Sequence, residues 1–170
     1  MALAAPTFSF SETNGAGATV TDGIPIIAFA SVDSYSTSAL PAASPIVQGN
    51  NSFEKYNRLK LTSVAPNGLS SFGVYFSATA PTDAGSSSAT VTVKFAANPT
   101  YAQPVATTSS VCTTAASTDT SSPGTTITAP ANTVNSYSGY FAQQLQTTSG
   151  AQGGSAIFPS PWTYVGYTWS

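Results

Sequence analysis

The most restrictive feature of this sequence is a two-residue alternation of apolar and polar side chains. Between Ser88 and Ala96, apolar side chains occupy one parity while Thr and Lys occupy the other. The apolar set is Ala89, Val91, Val93 and Phe95. Because a β-strand turns successive side chains to opposite faces, this spacing predicts a strand with one buried face. Since no long segment has the apolar period of a helix, we expect strands to carry the fold.

Five further segments are predicted as strands from the same alternation or from their β-branched and aromatic content. They are Ile24–Ala30, Arg58–Thr62, Leu69–Ala78, Tyr137–Thr148 and Trp162–Trp169. Pro25 restricts the first of these to an edge strand or to a strand start. The pattern predicts an all-β fold, namely a single antiparallel β-sandwich or jelly-roll-like domain with long loops and an extended N-terminal arm.

Turn-forming residues lie between the predicted strands. Pro66–Gly68 (PNG) predicts a tight hairpin, and Pro81–Gly85 predicts a second turn. Pro104–Gly124 is interpreted as an extended loop with one short strand, because it is rich in Ser, Thr and Ala. We assign residues 1–20 to an N-terminal arm or first strand, and residues 21–170 to the β-sandwich domain.

The composition excludes several classes of function. The 170 residues include 26 Ser and 25 Thr but only four basic and six acidic residues, with one Cys and no His. Charged residues make up 6% of the chain, where about 25% is typical of soluble domains. The absence of His removes Ser-His-Asp catalysis and His-ligated metals, and one Cys cannot build a disulfide framework. Four basic residues argue against nucleic-acid binding, which depends on phosphate neutralisation.

A short charged segment is the first candidate site. Residues 54–60 hold three of the four basic groups and one acid; the candidate residues are Glu54, Lys55, Arg58 and Lys60. One interpretation is the polar face of a strand, with Glu54 paired locally to Arg58 or Lys60, a contact of small energetic value. The other is an interface, in which Arg58 meets a carboxylate of a neighbouring molecule.

The aromatic C-terminal segment is the second candidate. Its site residues are Trp162, Tyr164, Tyr167 and Trp169. Aromatic side chains at both parities predict a strand that is covered on both faces. One face is expected to join the core of the domain. The other is either a subunit interface or a carbohydrate-stacking platform.

The remaining reactive side chains are interpreted structurally. Asp22 and Asp33 flank the Ile24 segment and are read as solvated turn residues rather than a catalytic carboxylate pair. Cys112 is read as a small structural residue, because no His lies anywhere in the chain. No cofactor or metal site is predicted. The first residues do not have the pattern of a secretory signal, and no apolar run is long enough to span a bilayer.

Three segments resemble tailed-bacteriophage virion proteins. They are Gly49–Leu61 (GNNSFEKYNRLKL), Pro99–Val105 (PTYAQPV) and Gly139–Thr148 (GYFAQQLQTT). The first opens into a basic strand, the second precedes a run rich in Ser and Thr, and the third precedes a glycine-rich turn and a final aromatic strand. The resemblance covers about residues 49 to 170 in style and segment order.

The resemblance implies a head decoration (cement) protein. Such proteins commonly form trimers on the capsid surface and stabilise the shell against internal DNA pressure. Its expected partners are the major capsid protein and copies of itself, with no nucleic acid, no membrane and no catalytic residues. The expected location is the virion, after synthesis in the host cytoplasm. Residues 1–10 and the Pro104–Gly124 loop are predicted to reach across capsid joints.

Three alternatives remain at this level. The chain is a tail or fibre protein that contacts host glycans through its C-terminal aromatic residues, a secreted adhesin or surface-layer domain, or an enzyme. Glycan binding would separate the first alternative from a cement protein, and a signal sequence encoded upstream would support the second. The enzyme alternative would need separate carboxylates to converge in the fold.

Overall fold

The computed structural model describes residues 4–47, 49–65, 67–76, 91–116, 124–148 and 163–169. This part of the chain contains nine strands and one helical turn. The strands are β1 (Thr7–Asn14), β2 (Thr19–Asp22), β3 (Lys55–Ser63), β4 (Leu69–Phe76), β5 (Val91–Ala97), β6 (Thr114–Ala115), β7 (Thr125–Thr126), β8 (Phe141–Thr147) and β9 (Thr163–Trp169). The helix α1 covers only Leu40–Ala43. The all-β prediction is confirmed.

The strands form two antiparallel sheets. The larger sheet has the order β2-β1-β3-β8-β5-β6, and the smaller has the order β7-β4-β9. Strands that are far apart in the chain lie side by side, since β3 pairs with both β1 and β8. The charged segment therefore lies in the interior of the larger sheet.

One hydrophobic cluster contains side chains of both sheets. Its buried members from the strands are Leu59, Phe72, Val74, Phe76, Val91, Val93, Phe95, Phe141 and Leu145. These are the apolar parities predicted for β3, β4, β5 and β8, so the alternation is confirmed for the described residues. Burial of such side chains stabilises a fold by about 1.5–3 kcal/mol each.

The segment Ile24–Ala30 is not a strand, and the prediction for it is wrong. Its apolar content has another cause, because Ile24, Ala28, Phe29 and Ala30 are all buried in an irregular segment. The backbone groups are used outside any ladder: the N–H of Ala28 donates to Ser36 Oγ, and the carbonyl of Ala30 accepts from the N–H of Phe53. A buried irregular segment is as rich in apolar residues as a buried strand, so composition alone does not distinguish the two.

The predicted hairpin at Pro66–Gly68 is also wrong. The strands on either side of this turn, β3 and β4, belong to different sheets. Both strands contribute apolar side chains to the common cluster, but they do not pair with each other as the two strands of a hairpin would. The second predicted turn, Pro81–Gly85, lies outside the described residues.

The N-terminal segment is a strand rather than an arm. Thr7–Asn14 forms β1, which lies between β2 and β3, and Phe8 and Phe10 pack against the main cluster. Within residues 1–20, the structure thus places a strand at Thr7–Asn14 and a second at Thr19–Asp22. The prediction that residues 1–10 form a reaching arm is wrong for residues 7–10, because their backbone pairs with β3 from Leu59 to Ser63.

The Pro104–Gly124 segment is irregular apart from one short strand, β6, over its described part. It is held at both described ends. The Gln144 side chain donates to the carbonyls of Val105 and Thr107, and a Cβ at Gly124 would lie 2.1 Å from the Val74 carbonyl oxygen. The described part is thus fixed to the sheets. Residues 117–123 of the predicted reaching loop lie outside the described residues. No helix of the described residues is long and apolar enough to cross a membrane.

Candidate functional site

The β3 strand places the four charged candidates in different environments. Its inner parity carries Lys55 and Asn57 next to the core residues Leu59 and Leu61, while Arg58 lies on the outer parity. Lys55 is 0% exposed and Glu54, just before the strand, is 3% exposed. Since Glu54 and Lys55 are buried within the chain, Arg58 and Lys60 are the two of the four candidates that reach the protein surface.

Lys55 forms a buried ion pair. Its Nζ lies 2.9 Å from Glu12 Oε1 on β1, and both side chains are fully buried. Lys55 also donates to the carbonyl of Ser34. Glu12 accepts from the N–H of Ser36 at 3.1 Å and from Asn14 Nδ2 at 2.9 Å. Every charge of the pair is thus hydrogen-bonded, as buried ions require, and the pair joins β1, β3 and the segment around Ser36.

Glu54 does not pair with Arg58 or Lys60, so the predicted local pairing is wrong. Its carboxylate instead accepts from the Ser109 hydroxyl and from the N–H of Val105 at 3.4 Å. The Ser109 oxygen in turn accepts from the backbone N–H of Cys112 at 2.7 Å. Glu54 therefore fastens the loop that begins at Pro104 to the start of β3.

This loop covers a second apolar cluster. The cluster lies on the outer face of the larger sheet and contains Tyr56, Cys112 and Ala142, with Tyr101 and Tyr140 packed against it. Burial raises the pKa of the Cys112 thiol to about 12. The thiol thus stays protonated at neutral pH, in agreement with the structural interpretation of this residue.

Arg58 lies between two aromatic rings. Its guanidinium carbon is 4.3 Å from the ring centroid of Tyr137 and 4.6 Å from that of Tyr140. Both distances are within the range of cation–π attraction, which favours Arg over Lys at such a position. Tyr137 and Tyr140 were not predicted as site residues, because their distance from Arg58 in the sequence gives no signal of this contact.

Lys60 pairs with Asp22 on the same outer face. The Nζ–Oδ2 distance is 2.8 Å, and the two side chains are 21% and 38% exposed. Asp22 also accepts from the Ser11 hydroxyl at 2.7 Å and from the Tyr137 hydroxyl at 3.1 Å. Asp22 is therefore an ion-pair residue that orients Tyr137, rather than a free turn residue.

The pKa of Asp22 reflects these contacts. Partial burial raises it, but the hydrogen bonds from Lys60, Ser11 and Tyr137 lower it more, so it lies below the ordinary value of 3.8. Because the folded pKa is depressed, the contribution of this carboxylate to stability is present above pH 3.8. That contribution is lost as the pH falls through the folded pKa.

Replacement of Lys60 by methionine is expected to raise the pKa of the Asp22 carboxyl, because the strongest hydrogen bond to the carboxylate is removed. The titration midpoint is measured by NMR on the Asp22 carboxyl carbon. Lys94→Met, which changes a cation on β5 in the same sheet, serves as the control and leaves the midpoint in place. An unchanged midpoint in Lys60→Met would contradict the ion pair.

The aromatic candidates of β9 divide between its two faces. Tyr164 stacks on Tyr75 of β4, with ring centroids 5.1 Å apart and an interplanar angle of 17°. Tyr167 packs against Phe8 and the main cluster, with centroids 5.1 Å apart, and is thus a core residue. Trp162 lies outside the described residues. Trp169 pairs through its backbone with Leu69.

Of the described carboxylates, Glu12 and Asp33 share one donor, Asn14 Nδ2, at 2.9 and 3.0 Å, whereas Asp22 and Glu54 have separate partners. Asp33 accepts from Asn14 Nδ2 and from the N–H of Gly15, and Asp22, Glu12 and Glu54 have the partners given above. Within the described ranges, no group of three or more His, Cys, Asp or Glu side chains is placed to hold a metal ion. Comparison with protein-family models, curated proteins and solved structures finds no match for this chain.

Proposed function

We propose that the chain is a structural virion protein, most specifically a head decoration (cement) protein with a β-sandwich or jelly-roll-like domain. It binds the major capsid protein and copies of itself, as a trimer on the capsid surface, after synthesis in the host cytoplasm. The observation that carries the proposal is the preorganised Arg58 cluster on the outer face of the larger sheet. The cluster consists of Arg58, Lys60, Asp22, Tyr137 and Tyr140.

The distribution of charge supports a surface that is covered by neighbours. Lys55 is used inside the chain and Lys60 is neutralised by Asp22. With a net charge of −2 over 170 residues, copies of the chain repel one another weakly. A free and concentrated monomer usually carries more charge, whereas a component of an assembly does not need it.

In this proposal the chain stabilises the shell by binding to it and catalyses no reaction. Apolar area buried between subunits contributes about 25 cal/mol per Å², and polar contacts set the register of the joint. Arg and Tyr, together with Trp, are enriched among the residues that dominate the binding energy of such interfaces. A cluster in which a sheet holds both types in place therefore suits a permanent contact on a shell.

The proposal predicts where the chain is found in particles. Virions of the phage that encodes the chain are separated into heads and tails, and each fraction is quantified by mass spectrometry. We expect the chain in the head fraction, in a fixed ratio to the major capsid protein. Its absence from heads, or its recovery with tails, would contradict the proposal, and a tail protein of known location provides the control.

The stacked Tyr75–Tyr164 pair favours a second candidate function. Both rings are partly exposed on the smaller sheet, and aromatic side chains of this kind are used to stack on sugars. Under this alternative the chain is a tail, fibre or adhesin β-domain that contacts host glycans. A glycan array separates the two candidates, because specific glycan binding that is lost in Tyr164→Ala would favour the alternative.

A further inference from the structure

The Arg58 guanidinium is a cation without a carboxylate partner in the described part of the chain. The two ion pairs there are Lys55–Glu12 and Lys60–Asp22, and neither includes Arg58. Its Nε atom is buried and has no hydrogen-bond acceptor. A guanidinium has five N–H donors, and that of Arg58 makes no hydrogen bond to a described residue. Because Nε is buried, a partner would contact the terminal N–H groups.

The side chains around Arg58 are fixed before any partner arrives. The Tyr137 hydroxyl donates to both carboxylate oxygens of Asp22, at 3.1 Å each, and the Tyr140 hydroxyl lies 3.2 Å from Thr13 Oγ1. The two rings are therefore anchored at their outer ends while their faces contact the guanidinium. A group that is already oriented loses less conformational freedom on binding, which increases affinity.

The local charge indicates the type of ligand. Arg58 and Lys60 contribute two positive charges and Asp22 contributes one negative charge, which leaves a balance of +1. A guanidinium matches a planar carboxylate through two parallel hydrogen bonds. A single positive charge of this kind suits one carboxylate, whereas a polyanion such as nucleic acid needs several.

The described carboxylates of the chain are already engaged. Glu12 is paired with Lys55, Asp22 with Lys60, and Glu54 is 3% exposed beneath the loop. Asp33 accepts from Asn14 and from the N–H of Gly15. None of these four is free to enter the Arg58 site of a second copy, while Asp83 and Asp119 lie outside the described residues. The proposed function names a different protein, the major capsid protein, as the partner, and the coupling experiment below separates that protein from a second copy.

We propose that Arg58, held between Tyr137 and Tyr140, is the receptor for a single acidic side chain of a partner protein. This inference rests on the proposed function, in which the partner is the major capsid protein. The carboxylate would accept two hydrogen bonds from the guanidinium and thereby fix the orientation of the chain on the shell.

The inference is tested by binding of purified variants to heads that lack the chain. Arg58→Gln is expected to bind about tenfold more weakly or worse, because one member of a charged contact is removed. Arg58→Lys should recover only part of the affinity, since an ammonium lacks the planar fork. Lys94→Gln is the matched control and should bind like wild type. Thermal unfolding of each variant establishes that the fold is kept.

Zero-length carbodiimide coupling identifies the partner. In Arg58→Lys the new amine should form an amide with the carboxylate it contacts, and mass spectrometry should find that carboxylate in the capsid protein. A link to a second copy of the chain would overturn the inference, as would wild-type affinity for Arg58→Gln or full affinity for Arg58→Lys. If the wild-type protein binds no heads, both the proposed function and the inference fail. If the wild-type protein binds heads and Arg58→Gln binds equally well, only the inference fails.

Discussion

Replacement of Lys55 by methionine is expected to lower the free energy of unfolding by about 3–5 kcal/mol, because it leaves the buried carboxylate of Glu12 without its counter-charge. Both side chains of the pair are 0% exposed, so water cannot replace the lost ammonium. The remaining donors to Glu12, from Ser36 and Asn14, satisfy hydrogen bonds but do not neutralise the charge. The loss is measured by urea denaturation at pH 7.

Two control variants test whether the loss of stability comes from the burial of the ion pair. Lys60→Met removes the other ion pair, which is exposed to solvent, and should cost far less. The double variant Glu12→Gln with Lys55→Met should recover part of the loss, because no uncompensated charge remains inside. An equal loss for Lys55→Met and Lys60→Met would contradict the buried position of Lys55.

Deletion of residues 1–10 is expected to unfold the domain or to cost about 4 kcal/mol or more. The deletion removes the first half of β1 together with Phe8 and Phe10. Phe8 contacts Phe72 at a centroid distance of 5.4 Å, and Phe10 contacts Phe141 at 6.3 Å. It also exposes the edge of β3 to which this half of β1 is paired. This loss is a large fraction of the free energy of unfolding of a typical domain, which is about 5–15 kcal/mol.

Deletion of residues 1–5 is the matched control for this prediction. It leaves β1 intact and keeps the Pro6 carbonyl, which accepts from the Tyr167 hydroxyl at 3.3 Å. Ala4 and Ala5 are exposed, so their loss should change the unfolding temperature little. If the chain lacking residues 1–10 were as stable as the chain lacking residues 1–5, β1 would not be part of the folded sheet.

The strand faces of the main cluster are predictable from the sequence because burial on one face imposes a period of two. This holds for Val91, Val93 and Phe95, and for the inward positions of β3. The two-residue period does not indicate to which of the two sheets a strand belongs. Parity states which side of a strand is buried, and two strands on opposite sides of the core show the same pattern.

The charged segment illustrates what parity can and cannot reveal. Lys55 shares the parity of Leu59 and Leu61, and a charge on an apolar parity is a signal of burial that could have been used. Its partner Glu12 lies 43 positions away and is brought close only by the pairing of β1 with β3. The rings around Arg58 depend in the same way on distant pairing. Long-range register, rather than local composition, therefore sets the site.

The proposal that this chain decorates a phage head is tested most directly by cryo-electron microscopy of heads from a phage whose genome carries its gene. We expect density for the two sheets on the outer surface of the shell, with three copies around a common axis and Arg58 facing an acidic side chain of the capsid protein. Two results would contradict the proposal. One is a reconstruction in which the capsid protein is fully occupied but no such density is present. The other is an attached chain in which Arg58 faces solvent.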